Sequence, residues 1–406
     1  MAAPLRVLSA SVMALVLAAG SCKRAGDDNA SSSSGASGGV DAGSFDKAAL
    51  LRSFGECALS GYREFQTAAV ELEANAKRSE AEGTPAARDA ARESWKKAID
   101  VWQRMEVFTF GPAAMTGTPG GQDLRDPIYA WPLVNRCLIE QQMVDLTYTK
   151  PELATALVNT RGLGAAEYLI FYEAADNACA PTAGLNTNGS WSALGAAEIN
   201  KRRAAYARAI ATDTVSRAQR VVDAWDPAKG NFLAEIAGAG SAKTYTTQQM
   251  AFNAVSDALF YADLALKNSK VGLPAGLVPG CASPPCLANV ESPWAKRSKN
   301  HMRNNLLGVE QLLKGCGAGA AGLGFDDLLR AVGAEAIATK LDTQLADVRK
   351  ALDALTEPTF EDDLVKNPNG VKALFDALRA FSATLKAEFV TVLDLELPKP
   401  AASDND

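Results

Sequence analysis

Histidine is almost absent from this chain of 406 residues, which contains only His301. A catalytic zinc ion usually takes three protein ligands, and the H-E-x-x-H motif of many zinc enzymes needs two histidines on one helix. That motif is missing, and a Ser–His–Asp triad would have to use His301. The sequence also lacks a G-x-S-x-G elbow and a phosphate-binding glycine loop, so no common enzyme motif identifies a reaction.

Aromatic residues and runs of basic residues are also scarce. Phe, Trp and Tyr make up 7% of the chain, the formal net charge is −6, and no long basic run occurs. This charge pattern argues against nucleic acid as a partner. The composition is otherwise rich in Leu and Ala, as is typical of a soluble helical protein, and the length suits two domains of ordinary size.

The N-terminal residues 1–22, MAAPLRVLSASVMALVLAAGSC, have the layout of an export signal. Arg6 precedes an apolar run over residues 7–19 that is too short to span a bilayer. The small residues before Cys22 resemble a bacterial lipobox, which predicts acylation of Cys22; ordinary signal cleavage is the alternative. Residues 23–45 are rich in Ser and Gly and predict a disordered tether. We therefore expect a lipid-anchored protein of the bacterial cell envelope, in the outer rather than the inner membrane, facing the periplasm or the exterior.

Six cysteines follow Cys22, and an even number in an exported protein favours disulfides. Cys281 and Cys286 flank a Pro-Pro loop, and we predict that they form a disulfide. The sequence does not determine how the other four pair. A zinc cluster is the alternative, and the single histidine argues against it.

The pattern of apolar residues after the tether is helical nearly throughout and predicts an all-α fold. We expect two tandem up-down helical bundles over residues 46–190 and 191–397, separated by a Gly/Asn/Pro-rich connection, and a disordered tail over residues 398–406. The predicted helices are 46–77, 85–110, 131–148, 151–173, 196–225, 246–268, 297–314, 325–355 and 368–394.

Two carboxylates interrupt apolar helix faces. At about 100° per residue, Glu167 falls between Leu163 and Ile170, and Glu106 continues the apolar stripe that includes Trp102. Burying an unpaired carboxylate is costly, so each of these residues needs a partner or a ligand. An internal salt bridge is the structural alternative, and its candidate partners are Arg104, Arg125 and Arg161.

The helix that carries the single histidine supplies further candidates. Its inner face is formed by Met302, Leu306, Val309 and Leu313. His301 projects about 100° away from that face, so we expect it to be exposed or flanking rather than a ligand. Ser298 and Asn305 lie nearer the inner face and, with Arg125, are candidates to line a cleft between the bundles.

The stretches ESWKKAIDVWQRMEVFTFGP, YAWP and RGLGAAEYLIF resemble the imelysin family, also called peptidase family M75. The resemblance covers nearly the whole predicted helical region. It implies two four-helix-type bundles and a periplasmic or outer-membrane location. It also implies a link to peptidase activity and to iron or haem uptake.

The hallmark of that family, G-x-H-x-x-E, matches Gly162 and Glu167, but Gly164 replaces the histidine. Glu106 ends a second stretch, W-x-x-x-x-x-x-W-x-x-x-E, that also resembles imelysin sequences. Without the imidazole, Glu167 and Glu106 make a poor zinc site, although they could hold a harder divalent ion such as Ca²⁺. We therefore expect a non-catalytic binding protein with a cleft near Glu167. Its ligand would be a metal, a haem-related compound or a peptide, with a link to iron uptake. A metallopeptidase with a variant site and a structural or interaction module, with an envelope protein as partner, are the alternatives.

Overall fold

The helices begin and end at residues whose side chains or backbone suit those positions. The computed structural model describes residues 45–317 and 322–404. Helix α1 (Lys47–Glu82) starts where the Asp46 carboxylate accepts a hydrogen bond from Ala49 N at 2.8 Å, and it ends at Gly83, whose φ is +62°. Helix α2 (Pro85–Met105) starts where Thr84 caps its first turn ahead of Pro85.

The remaining helices follow in chain order. They are α3 (Arg136–Asp145), α4 (Gly162–Phe171), α5 (Gly184–Thr187), α6 (Gly195–Trp225), α7 (Phe232–Ala237), α8 (Gln248–Leu259), α9 (Leu273–Ala275), α10 (Ser298–Lys314), α11 (Phe325–Ala331), α12 (Glu335–Asp353), α13 (Phe360–Lys366), α14 (Pro368–Thr384), α15 (Val390–Val392) and α16 (Lys399–Ala402). Residues 45–317 and 322–404 contain no β-strand. The predicted all-α fold is therefore confirmed.

Several predicted helices are interrupted in the structure. The predicted segment 151–173 begins as 3₁₀ turns, Pro151–Thr155 and Val158–Thr160, and becomes an α-helix only at Gly162. The predicted segment 325–355 divides at Gly333, whose φ is +77°. Between α8 and α9 the helix continues with i→i+5 hydrogen bonding over Ala262–Gly272, a pattern that a 3.6-residue period does not reveal.

Helix α1 packs along both α2 and α6, while α2 also packs on α10 and α4 on α6. Large aromatic side chains fill the space between these helices, including Trp95, Trp102 and Trp225. The described residues belong to one compact unit. The predicted division into bundles at residues 190 and 191 stays a prediction.

Three disulfides form among the described residues: Cys57–Cys316, Cys137–Cys179 and the expected Cys281–Cys286. Residues 398–404, expected to belong to a disordered tail, instead include α16. The tail is held because Ala401 is buried and the Asp404 carboxylate lies 3.1 Å from Lys267 Nζ. The predicted export signal, Cys22 and nearly all of the tether lie outside the described residues. No helix in residues 45–317 and 322–404 is both long and apolar enough to cross a membrane.

Candidate functional site

Helix α4 is fixed at its first turn by its backbone. Gly162 has a φ of +70°, and a Cβ atom there would lie 2.5 Å from Ile128 O, so only glycine fits without strain. The next residue, Leu163, donates its N–H to the same carbonyl at 2.7 Å, and its own carbonyl accepts from Trp95 Nε1 at 2.9 Å. These contacts set the position from which α4 directs Glu167 inward.

Glu167 is 2% exposed and receives hydrogen bonds from uncharged donors only. Its Oε1 atom accepts from Ser292 Oγ at 2.9 Å, Trp294 N at 3.0 Å and Ala295 N at 2.8 Å. Within residues 45–317 and 322–404, no Lys or Arg forms an ion pair with it, and Oε2 receives no hydrogen bond. Burial raises the pKa of Glu167, although the three donors and nearby His301 oppose this effect.

A cavity of about 360 Å³ lies beside Glu167. Three aromatic residues, Tyr129, Trp131 and Trp294, contribute to its lining, and Arg136 and Glu167 are its charged residues. Gly164, Ser292 and the exposed Ala288 also line it. The volume is near the lower end of the range for small-molecule pockets, about 300–1,000 Å³. The cavity can therefore hold a small molecule that contacts Glu167.

Glu106 is equally buried, but it is paired with cations. Its Oε1 lies 2.7 Å from Arg125 Nη2, and its Oε2 lies 3.5 Å from Lys270 Nζ. Of the three arginines that the sequence offers as ion-pair partners, Arg125 is the one that pairs with Glu106. The other two lie elsewhere, with Arg104 beside Glu64 and Arg161 3.9 Å from Asp213.

The sequence analysis missed Glu291 and Lys270, which lie at the centre of this buried polar group. Glu291 Oε1 accepts from Tyr129 Oη at 2.8 Å, and Glu291 Oε2 lies 3.0 Å from Lys270 Nζ. Burial raises the pKa of Glu291, but the charge of Lys270, His301 and the Tyr129 hydroxyl outweigh it and lower the pKa below its ordinary value. Asp263, Lys267 and Lys270 are spaced by four and three residues and so share one helix face. This spacing was the sequence feature that could have identified Lys270. Glu291 lies in a loop without periodicity.

The expectation that His301 is exposed or flanking is wrong. Its side chain is completely buried, and Nδ1 lies 3.3 Å from Glu291 Oε2. The imidazole packs near the rings of Trp95 and Tyr129, at centroid distances of 6.5 and 6.4 Å. Helix α2 and the segment around Tyr129 therefore cover the flank of α10 that the helical period marks as outward-facing.

Ser298 and Asn305 are buried next to the same group rather than in an open cleft. Ser298 Oγ donates to Glu291 O, and Asn305 Nδ2 donates to Gln103 O at 2.7 Å. Asn305 Oδ1 accepts from Lys270 Nζ at 2.8 Å. Both side chains thus hold the residues around Glu291 and Lys270 in place. Arg125, the third cleft candidate, holds Glu106.

Comparison with known proteins places the chain in a family. The sequence model of the family described as Imelysin, Peptidase_M75, matches residues 58–386. The chain belongs to the imelysin family. Its relatives include the iron-regulated protein A of Synechococcus elongatus, which is 26% identical over 303 residues, covering 74% of this chain and 72% of that protein.

Solved structures share the imelysin fold. One is the crystal structure of a protein from Parabacteroides distasonis assigned as an iron-regulated protein A precursor, with a TM-score of 0.65 and 17% identity over 87% of this chain and 95% of that one. Another is an imelysin-like protein from Psychrobacter arcticum, with a TM-score of 0.62 and 16% identity over 87% of this chain and 96% of that one. At these identities the likeness concerns the fold alone.

The metal site implied by the peptidase name of the imelysin family does not fit these residues. Gly164 has no ligand atom, and a Cβ atom there would lie 2.5 Å from Val134 Cγ2, so Val134 fills the direction that a histidine would take. Residues 45–317 and 322–404 contain no group of three or more His, Cys, Asp or Glu side chains arranged to hold a metal ion. Glu106, the second residue of the possible Ca²⁺ site, is ion-paired with Arg125, and that site stays a prediction.

Proposed function

We propose that this imelysin-family protein binds a small ligand without catalysis, in the cavity beside Glu167. The observation that carries the proposal is the state of that carboxyl group. It is buried, Oε1 is fully used by three protein donors, and Oε2 is left for a molecule in the cavity. The missing motif histidine and the blocked direction at Gly164 count against a metallopeptidase reaction.

We further propose that the protein is anchored to the bacterial envelope by a lipid on Cys22 and that ligand binding serves iron uptake. The sequence of residues 1–22 supports the anchor. The name of the Synechococcus relative, iron-regulated protein A, supports the connection with iron. Replacing Cys22 with Ala should move the protein from the membrane fraction to the soluble envelope fraction. Unchanged membrane association would contradict a lipid anchor.

The ligand can be sought with two variants that act on the cavity in different ways. Ala288 is exposed and lines the cavity, so Ala288→Trp should obstruct it, while Glu167→Gln changes only the carboxyl group. Protein isolated from envelopes of iron-limited cells would be analysed for small molecules by mass spectrometry and for bound metal. We expect wild-type protein to carry a compound or ion that both variants lose.

Equal contents in all three proteins would contradict binding in this cavity. A peptidase assay provides the complementary control. Peptide cleavage that Glu167→Gln abolishes and Glu106→Gln leaves intact would replace the binding proposal with a variant peptidase site.

A further inference from the structure

The buried polar group contains more carboxylates than permanent cations. Glu106, Glu167 and Glu291 are each no more than 2% exposed. In the part of the chain that the structure describes, the permanent cations that pair with them are Arg125 and Lys270. Burial raises the pKa values of the neighbouring Tyr129 and Tyr261 hydroxyls, which therefore stay neutral.

Among the described residues, Glu167 is the carboxylate of this group that has no permanent cation as its partner. Glu106 is 2.7 Å from Arg125, and Glu291 is 3.0 Å from Lys270. Glu167 has only the hydroxyl and two backbone N–H groups of one turn, all directed at Oε1. Such donors stabilise an anion without neutralising it. A cationic ligand in the cavity would supply the charged partner that Glu167 lacks.

The cavity wall also suits a cation with a carbon skeleton. Tyr129, Trp131 and Trp294 contribute to this wall, and aromatic rings attract ammonium groups. Trp131 already attracts one, since Lys270 Nζ lies 5.9 Å from its ring centroid. The one cation of the lining, Arg136, is already neutralised, since its guanidinium lies 2.7 Å from Glu140 Oε1 and 3.0 Å from Asp176 Oδ2. Arg136 therefore opposes a cationic ligand only weakly.

We propose that the cavity binds a small organic ammonium ion, whose N–H groups donate to Glu167 Oε2 while its apolar body packs on Trp131 and Trp294. This inference rests on the proposed binding function and names the chemical class of its ligand. An organic ammonium fits better than a metal ion, because the site offers one open carboxylate oxygen and the described residues form no group of three metal-ligating side chains.

Three probes of nearly equal shape test the charge preference. Benzylamine, benzyl alcohol and benzoate would be titrated into the mature full-length protein at neutral pH, with calorimetry and tryptophan fluorescence as readouts. We expect benzylamine to bind about tenfold more tightly than benzyl alcohol, and benzoate to bind most weakly. Glu167→Gln should remove the preference for benzylamine. The matched control is Glu173→Gln, since Glu173 is exposed and pairs with Arg92, and it should keep the preference.

Equal affinity for benzylamine and benzyl alcohol, or tighter binding of benzoate, would overturn the inference. Zn²⁺ or Ca²⁺ binding that Glu167→Gln abolishes, without any binding of benzylamine, would also overturn it. If Glu167→Gln does not fold, Trp131→Leu serves instead and should weaken benzylamine binding several-fold more than benzyl alcohol binding. A native ligand lost from Ala288→Trp, together with no preference for benzylamine, would leave the proposed function standing and refute the ammonium ligand.

Discussion

Glu106 and Glu167 are both 2% exposed, yet their surroundings differ in kind. Glu106 lies between the cations of Arg125 and Lys270, whereas Glu167 is held by a hydroxyl and two backbone N–H groups and borders a cavity. The ion pairs of Glu106 compensate its charge, so it has less to offer a cationic ligand. Uncharged donors on one oxygen fix the orientation of the group and leave its second oxygen available. Burial alone therefore does not separate a structural acid from a binding acid.

The largest change in stability is expected at Glu106, the ion-paired carboxylate. Glu106→Gln should lower the free energy of unfolding by about 3 kcal/mol, because it leaves the partly buried guanidinium of Arg125 without its main partner. Denaturant unfolding with the disulfides intact would measure the loss. Glu64→Gln is the matched control, since Glu64 pairs with Arg104 but is 54% exposed, and should cost less than about 1 kcal/mol. Equal losses in the two variants would show that the buried ion pair of Glu106 contributes no more to stability than the exposed pair of Glu64.

A smaller effect is expected where α4 begins. Gly162→Ala should lower the free energy of unfolding by about 2 kcal/mol, because it forces a φ of +70° and a 2.5 Å approach to Ile128 O. Gly184→Ala is the control, since no atom lies within 4 Å of the added Cβ and the backbone is ordinary there. It should change the same quantity by no more than about 1 kcal/mol. Similar results for both glycines would show that the backbone at the start of α4 does not require glycine.

The smallest effect is expected from Glu167→Gln, whose amide oxygen can still accept from all three donors. Its free energy of unfolding at neutral pH should stay within about 1 kcal/mol of wild type. As the pH rises from 4.5 through the raised pKa of Glu167, wild type should lose stability relative to the variant, because the folded state holds its proton to higher pH than the unfolded state. Urea titrations at several pH values would show this trend. A gain for wild type over that window would mean that Glu167 behaves like Glu291, whose pKa is lowered.

The helical period predicted much of the fold and part of the site. The bounds of α6 and α10 agree with the predicted helices to within one residue, and the apolar stripes identified Glu106 and Glu167 as buried. Both predictions depend on residues close together in the sequence. A single helix therefore contains the information they require.

The partners of these residues could not be predicted in the same way. Ser292 reaches Glu167 across 125 residues, from a loop that has no period to read. His301 was misplaced because its exposure depends on α2 and on the segment around Tyr129, which cover it only in the folded protein. Periodicity identifies the side of a helix that faces a core, but it does not show which other sides tertiary packing also covers.

The disulfide between Cys57 and Cys316 closes a covalent ring that spans 259 positions of the sequence. Both Glu106 and Glu167, and the whole loop that holds Ser292, lie inside this ring. A single cut of the backbone anywhere within it would not separate the molecule into two pieces until the disulfide is reduced. Clipped protein would therefore migrate as one chain on a non-reducing gel, and only reduction would reveal the cleavage.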